Sequence, residues 1–544
     1  MAVVVVPEFC SMKPQQVFVR EATGLVRGLG ARDALLMNTI GIAALVSAVP
    51  LLSTASTVYP GANLYVAFTL AFLVSIPFSL VFAMMAIAFP RTGGDYVFNS
   101  RIVHPAYGLA SSGLYLSLNI IGIGFFSPFV GFYLSNMFSV AGTIYNIPSL
   151  VSLGTFISTG NGTMVLGTIL VVWSSLTVIF GLGLYKRTQN ALFVLAIIGT
   201  VVLFGVMAFS NHQSFVNSFN AAAAPYNTSY SDIMNRATAA GYSPASFSMP
   251  TTILATVFFI SYLSTPWPQL VAGEIKRPVR SQMISMLGSC VISFLVYLIA
   301  IGLYYSAFGV DFTNAITWLA TNSPSNYPLP TSPYLTYFAS VMAGNPIVLV
   351  LVGLGLISWT LALMPNFYLI VSRPLFAYAF DRVFPEKFAS INERTHTPVF
   401  NILFTAVFSE LFLVAAAYAS WWYGQMFNGG VFLMIYFLFT MFAAILFPFA
   451  KKDLFESSPP IVKGRIGPIP VISLLGAITA GGMIWALSTY LIHPELSGPV
   501  NAVSLGTWAA ITIFFAGSYF VARWYRKTRQ EIDIDFNYRQ VPPE

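Results

Sequence analysis

Charge is what this sequence has least of. Only 8% of its 544 residues are Asp, Glu, Lys or Arg, against roughly 25% in a soluble domain, so water is not the main solvent of the chain. Cysteine is nearly missing as well. Cys10 and Cys290 stand far apart, one near the start and one inside an apolar run, which leaves no disulfide framework. The four histidines, His104, His212, His396 and His493, are scattered over loops and the ends of apolar runs. With no clustered His and Cys there is no metal site to expect, and with no paired acids in apolar segments there is no converging catalytic set, so an enzyme is not expected. The run Ala2–Val6 is too short for a signal peptide and no small-residue cleavage site follows a basic start. The first long apolar stretch is therefore expected to act as the membrane signal.

Long apolar stretches are what the chain has in abundance. A bilayer-spanning helix needs about 20 apolar residues. Twelve segments qualify: Leu35–Leu52, Leu64–Phe89, Gly108–Tyr133, Met164–Leu184, Ala191–Phe209, Thr252–Val271, Met286–Phe308, Pro346–Phe367, Val399–Ala419, Gly430–Phe449, Pro470–Ile492 and Val503–Ala522. With the N-terminus inside, 24 of the 25 Lys and Arg residues fall on one side and only Arg236 falls on the other. Insertion leaves basic loops in the cytoplasm, so this bias predicts an even number of spans, both termini cytoplasmic, in an all-α multi-pass protein of the plasma membrane. Residues 1–34 form the N-terminal segment, 35–450 a ten-span core, 451–525 spans eleven and twelve, and 526–544 a short, charged, flexible tail. The net charge of +7 reflects this topology and attraction to anionic lipid. The basic residues lie in short separate loops, so nucleic acid is not an expected partner.

Two loops on the outer side are long, Ser210–Pro250 and Gly309–Asn345. They read either as exposed loop or as partial cover over a vestibule. Sequons at Asn161 and Asn227 also fall on that side.

A transport site needs irregular backbone at membrane depth, where freed carbonyl and N–H groups hold a substrate or ion. Two spans show interruptions. In the first, Asn38-Thr39-Ile40-Gly41-Ile42-Ala43 places polar and small residues inside the membrane, which also suits a tight helix crossing. In the sixth, Ser261-Tyr262-Leu263-Ser264-Thr265-Pro266-Trp267-Pro268 carries two prolines, each removing a backbone donor and crowding the preceding turn. The two spans take equivalent places if one to five and six to ten form two halves.

Three further stretches complete a pattern: Pro90-Arg91-Thr92-Gly93-Gly94-Asp95-Tyr96, Ala272-Gly273-Glu274-Ile275-Lys276-Arg277-Pro278, and Ser372-Arg373-Pro374-Leu375-Phe376-Ala377-Tyr378-Ala379-Phe380-Asp381-Arg382-Val383-Phe384-Pro385 followed by Thr397-Pro398. In this order and at these loop positions they resemble the amino acid permeases of the amino acid–polyamine–organocation (APC) transporter superfamily. The resemblance covers roughly the first 450 residues. It implies a five-plus-five inverted-repeat, leucine-transporter-like fold with discontinuous helices one and six, and alternating access to a substrate held between spans one, three, six, eight and ten. Gly93 and Gly94 read as a tight turn, and Glu274 with Lys276 as a solvated pair that marks the family rather than its site.

The departures bear on mechanism. Where permeases carry Gly-x-Gly in span one, this chain has Gly41-Ile42-Ala43. Counting back from Lys276, Tyr262, Ser264 and Pro266 stand where the family often has an aromatic, a Gly and an acid. The missing acid favours neutral amino acids, because an ammonium side chain wants a buried counter-charge; polyamine or another organic cation is the alternative substrate class, and a non-transporting sensor on the same fold stays open. The place of the Lys that serves proton coupling in some members is taken by Ala196. A sodium ion would find oxygens in span one and at Ser358 or Thr360, which otherwise bond their own helix. The coupling ion, sodium or proton, stays open. Glu410 is an intramembrane acid with a functional or a structural reading, and Asn366 reads as a polar helix contact. The resemblance implies a substrate carboxylate at Thr39, Ile40, Gly41, Ile42 and Ala43, with Ser261, Tyr262, Ser264, Thr265 and Trp267 lining or closing the pocket. The segment Phe138–Gly162 contains no Cys, so no disulfide-linked partner subunit is expected, and the lipid bilayer is the main surrounding.

Overall fold

The computed structural model describes residues 25, 27–263, 266–419, 429–493, 500–539 and 541. Its main helices are α1 (Ala31–Ile42), α2 (Ala44–Val58), α3 (Leu64–Ala88), α4 (Asp95–Ile102), α5 (Pro105–Ile144), α6 (Gly160–Ile179), α7 (Leu182–Phe209), α8 (Met249–Leu263), α9 (Trp267–Leu270), α10 (Pro278–Phe308), α11 (Pro346–Phe380), α12 (Val399–Tyr418), α13 (Gly429–Ala450), α14 (Val471–Ile492) and α15 (Ala502–Gln530). Among the described residues, 11 helices are long and apolar enough to cross a membrane, the first of them joining α1 to the start of α2.

The expected span that fails this measure is the sixth. Its helix α8 has 15 residues, about 22 Å of rise, short of the roughly 30 Å apolar layer. The chain restarts at α9, preceded by Pro266 with φ −102° and ψ 36°. Pro266 and Pro268 both lack the N–H that a continuous helix needs at those places.

Other helices outrun the stretches expected for them. Span three was expected to stop at Tyr133 but α5 runs 40 residues to Ile144. Span eight was expected to stop at Phe367, but α11 runs 35 residues to Phe380. The extension of α11 carries Ser372 and Arg373, which look like loop residues and are in fact fully buried.

The long segments 210–250 and 309–345 are folded. They form the helices His212–Ala223, Tyr230–Ala239, Val310–Asn322 and Leu335–Ala343, the first two capped by the side chains of Asn211 and Ser229. Phe215, Phe219, Phe312 and Phe338 bury completely between them, and Tyr230 stacks on Phe312 at 4.1 Å. The exposed-loop reading is therefore corrected to a packed cap: the aromatic residues at helical spacing give these polar segments a core of their own.

At the opposite end, the basic loops meet one another. Leu29 donates its N–H to Glu274 O (3.0 Å) and accepts from Lys276 N (2.8 Å). Thr92 bridges Val271 as a single antiparallel pair. Lys186 pairs with Asp33 at 2.8 Å, and Thr397 donates to Ile179 O at 3.0 Å.

At two seams a glycine leaves no room for a side chain of its own. A Cβ on Gly113 of α5 would lie 2.1 Å from the Phe515 ring of α15. A Cβ on Gly199 of α7 would lie 2.5 Å from the Cα of Gly355 on α11, so those two backbones touch.

Candidate functional site

The break in the first span is a single residue. Ala43 stands between α1 and α2 with φ 48° and ψ 45°, the left-handed region that costs an L residue about 1–2 kcal/mol. Its N–H still reaches Thr39 O (3.2 Å) and its carbonyl still accepts from Ser47 N (3.0 Å). Thr39, Ile40, Gly41 and Ile42 thus remain helical, where an unwound stretch was expected. The break is confined because Ala43 lacks the freedom of glycine, and a longer unwinding would need more residues at positive φ.

One further carbonyl here lacks a helical partner for a reason visible in the sequence. Val46 O would bond the N–H four residues on, but that residue is Pro50. The hydroxyl of Tyr133, on α5, donates to Val46 O at 2.6 Å instead. Tyr133 also lines a narrow cleft with Asn136, Thr336, Ser340, Gly353 and Leu356, between α5, the helix Leu335–Ala343 and α11. One side chain therefore joins the cleft to the backbone just past the break.

Helix α9, which follows the second break, packs against α1 and α11. Trp267 is buried and meets Phe367 edge-on at 5.3 Å, and Phe367 stacks on Phe126 at 5.2 Å. Of the other residues expected at the site, Thr39, Ile40, Ile42 and Ala43 are buried and Gly41 is half-buried. Ser261 and Tyr262 fall within α8, and Ser264 and Thr265 lie outside the described residues. Next to the break, Asn38 donates to Ser289 Oγ at 2.7 Å. Its Oδ1 and the Thr39 hydroxyl are buried and find no partner among the described residues.

Polar groups deeper in the bundle mostly tie helices together. Tyr185 on α7 donates to Asn366 Oδ1 on α11, and Gln189 donates to Ala362 O at 2.8 Å. Thr360 bonds its own helix at Leu356 O (3.0 Å). Glu410 on α12 accepts from the Thr168 hydroxyl on α6, a helix-to-helix contact.

Beneath the second break lies the sealed basic end. Gly93 and Gly94 take φ of 104° and 50°, and they do more than turn. Gly93 N bonds Leu270 O at 3.0 Å, and a Cβ on Gly94 would lie 3.0 Å from the Cα of Leu270. The turn is thus docked, backbone to backbone, on the end of α9. Asp95 follows, wholly buried, with the Ser111 hydroxyl at 3.4 Å, that of Tyr436 and the backbone amides of Asp95 and Tyr96 against it. Burial pushes its carboxyl up to about 7. Tyr436 accepts from Gln269 of α9 at 3.0 Å and stacks on Tyr115 at 4.1 Å.

Two expectations about this end are corrected. Glu274 is not a solvated partner of Lys276. It is buried against Arg373, which grips it with Nε to Oε1 at 2.7 Å and Nη2 to Oε2 at 2.9 Å; a carboxylate desolvated this far needs a bidentate cation. The C-terminal tail is not loose either. Its 3₁₀ turn Ile534–Tyr538 buries Tyr538 against Tyr96, hydroxyl to hydroxyl at 2.9 Å. Tyr96 in turn donates to Asp381 at 2.7 Å, Arg101 pairs with Asp381 at 2.7 Å, and Asn537 donates to Asp381 O at 3.1 Å.

Sequence reasoning missed Tyr133, Phe126, Phe367, Gln269, Tyr436 and the burial of Asp95. Pro50, four residues after Val46, was the readable signal for an orphan carbonyl. For the others no local signal exists.

Over residues 34–533 the chain matches the family described as amino acid permease. No curated protein matches it.

Proposed function

The chain belongs to the amino acid permease family, and on that premise we propose that it is a secondary active transporter of neutral amino acids that works by alternating access at the plasma membrane. Family membership makes it a multi-pass membrane protein of amino acid transport. In this reading the two pieces α8 and α9 form one discontinuous span, giving twelve in a five-plus-five inverted-repeat arrangement plus two. The basic end with both termini faces the cytoplasm, as the positive-inside bias favours.

The observation that supports the site is the packing of α9, the short helix that follows Pro266, on α1, the helix that ends at left-handed Ala43. The Thr39–Ala43 segment holds the substrate carboxylate, and backbone carbonyls of both broken spans hold the amine. Tyr262 closes the pocket and Trp267 lines it. The aromatic group of buried Trp267 and Phe367 with half-buried Phe126 supports an apolar or neutral side chain. The cleft beside Tyr133 is the outer approach, and the Glu274–Arg373 and Asp381–Arg101 pairs are contacts that part when the basic end opens.

The test is uptake by purified protein in proteoliposomes, using a panel of labelled amino acids and independently imposed sodium and proton gradients. Saturable, gradient-driven uptake of a neutral amino acid is the expected result. Uptake of polyamines alone, or binding without flux, overturns it.

A further inference from the structure

We propose that Asp95 is a proton-binding site that loads as the basic end closes and unloads as it opens, making closure of that end sensitive to pH; this rests on the transporter reading above. The carboxyl is the first residue of α4 and is shielded from solvent on all sides. Its partners are hydroxyls and backbone amides alone, and its Oδ1 is buried with no partner among the described residues. Ser111 has one hydrogen to give, and Gly108 O at 3.1 Å is better placed for it than Asp95 at 3.4 Å. A neutral carboxyl, donating its own proton to Ser111, fits this arrangement better than a carboxylate.

The titratable groups that face Asp95 are tyrosines on each helix packed against α4: Tyr115 on α5, Tyr378 on α11 and Tyr436 on α13. On its own helix, Tyr96 and Arg101 turn to Asp381 and Tyr538 instead. Among the described residues Asp95 makes no ion pair. A buried carboxylate without counter-charge is costly, so such a group keeps its proton. At about 7, the carboxyl titrates where the cell works.

A merely structural acid would stay enclosed through the cycle. Asp95 does not have that protection, because its enclosure is made of the pieces that form the seal. The preceding Gly93 is bonded to Leu270 of α9, and Tyr436, which lies against the carboxyl, accepts from Gln269 of the same short helix. When α9 withdraws, water reaches the carboxyl and returns it toward its ordinary value of 3.8. The O–H bond then breaks, the proton passes to water at the basic end, and the carboxylate remains hydrated. Resealing requires it to take up a proton again. Closure binds the proton, so lower pH favours the closed form.

The experiment compares wild type, Asp95→Asn and Asp95→Glu by two independent readouts. In proteoliposomes, gradient-free exchange of a labelled neutral amino acid is measured as the pH on both sides is varied together across neutrality. In detergent without substrate, the infrared carbonyl band of protonated carboxyl groups is titrated across neutral pH. In Asp95→Asn, the pH dependence of exchange across neutrality should be lost, and the band component titrating near neutrality should vanish. Asp95→Glu should restore that component at a shifted frequency. A wild-type pH dependence of exchange in Asp95→Asn, or an unchanged titrating band in that variant, overturns the proposal. A wild type that shows the band but exchanges no amino acid overturns the transporter reading and leaves the proton site standing.

Discussion

Tyr133 and Val46 lie on different helices and are joined by one hydrogen bond of 2.6 Å, from the phenol to the backbone carbonyl. The bond exists because Pro50 offers Val46 no amide. A buried carbonyl left without a donor costs about 1–3 kcal/mol, so the variant Tyr133→Phe should lose roughly that much stability while keeping its shape. A thermal unfolding series in detergent checks this. Because Tyr133 also lines the outer cleft, apparent substrate affinity should fall in the same variant.

Ala43 pays for its left-handed turn with backbone strain, which a glycine would avoid. Ala43→Gly should be neutral or stabilising by up to about 1 kcal/mol, the strain relief being offset by the greater freedom of glycine in the unfolded chain. Ala43→Val should destabilise by about 1–3 kcal/mol, since a branched residue tolerates that region worst. Denaturation midpoints separate the two. Gly41→Leu, two residues earlier in the same segment, should insert normally and abolish uptake; normal uptake by that variant would remove the site from this segment.

Glu274 and Arg373 are each almost completely buried, so removing one partner strands the other. Glu274→Gln or Arg373→Met alone should cost about 3–5 kcal/mol, and the pair replaced together should recover part of that loss. A double-mutant cycle on unfolding measures the recovery. Simple addition of the two costs would mean that the pair is not coupled.

The tail turn around Tyr538 braces the basic end through Tyr96 and Asp381. Tyr538→Ala should therefore raise the reactivity of a thiol placed beside the docked turn, Ala377→Cys, in a background with Cys10 and Cys290 replaced by Ser. Labelling rates from the basic side are the readout, and an unchanged rate would reduce the tail to a passive contact.

Asp95 also gives the fold a pH dependence of definite sign. Its folded-state value lies above its ordinary one, at about 7 against 3.8, so the folded protein binds more protons than the unfolded chain between those limits. Stability from this group is full at low pH and is lost as pH rises from about 4 to 7. Asp95→Asn should flatten that part of the stability profile, measured by denaturant unfolding at a series of pH values.

What could be read from the sequence was whatever a local pattern encodes. Apolar length marked the spans, the basic residues marked one end, and Pro266 with Pro268 marked the broken helix. The position where Ala replaces the second glycine was identified, although the extent of unwinding around it was overestimated. What could not be read depends on partners distant along the chain. Tyr96 meets Asp381 and Tyr538, and Glu274 meets Arg373, only after folding; alone, each looks like a polar loop residue that water would cover. The outer cap was ambiguous for the same reason, since its phenylalanines reveal a core only when four short helices converge.

The bare contact between Gly199 and Gly355 has a use beyond packing. No side chain stands between α7 and α11 there, so nothing at that point can rearrange to let the two helices separate by small steps. Their spacing should stay constant while other helices travel. Spectroscopic labels on the exposed faces of α7 and α11 at that level, and not on the two glycines, which leave no room for a Cβ, would provide a fixed ruler, an internal frame against which the displacement of α1 and α9 can be measured.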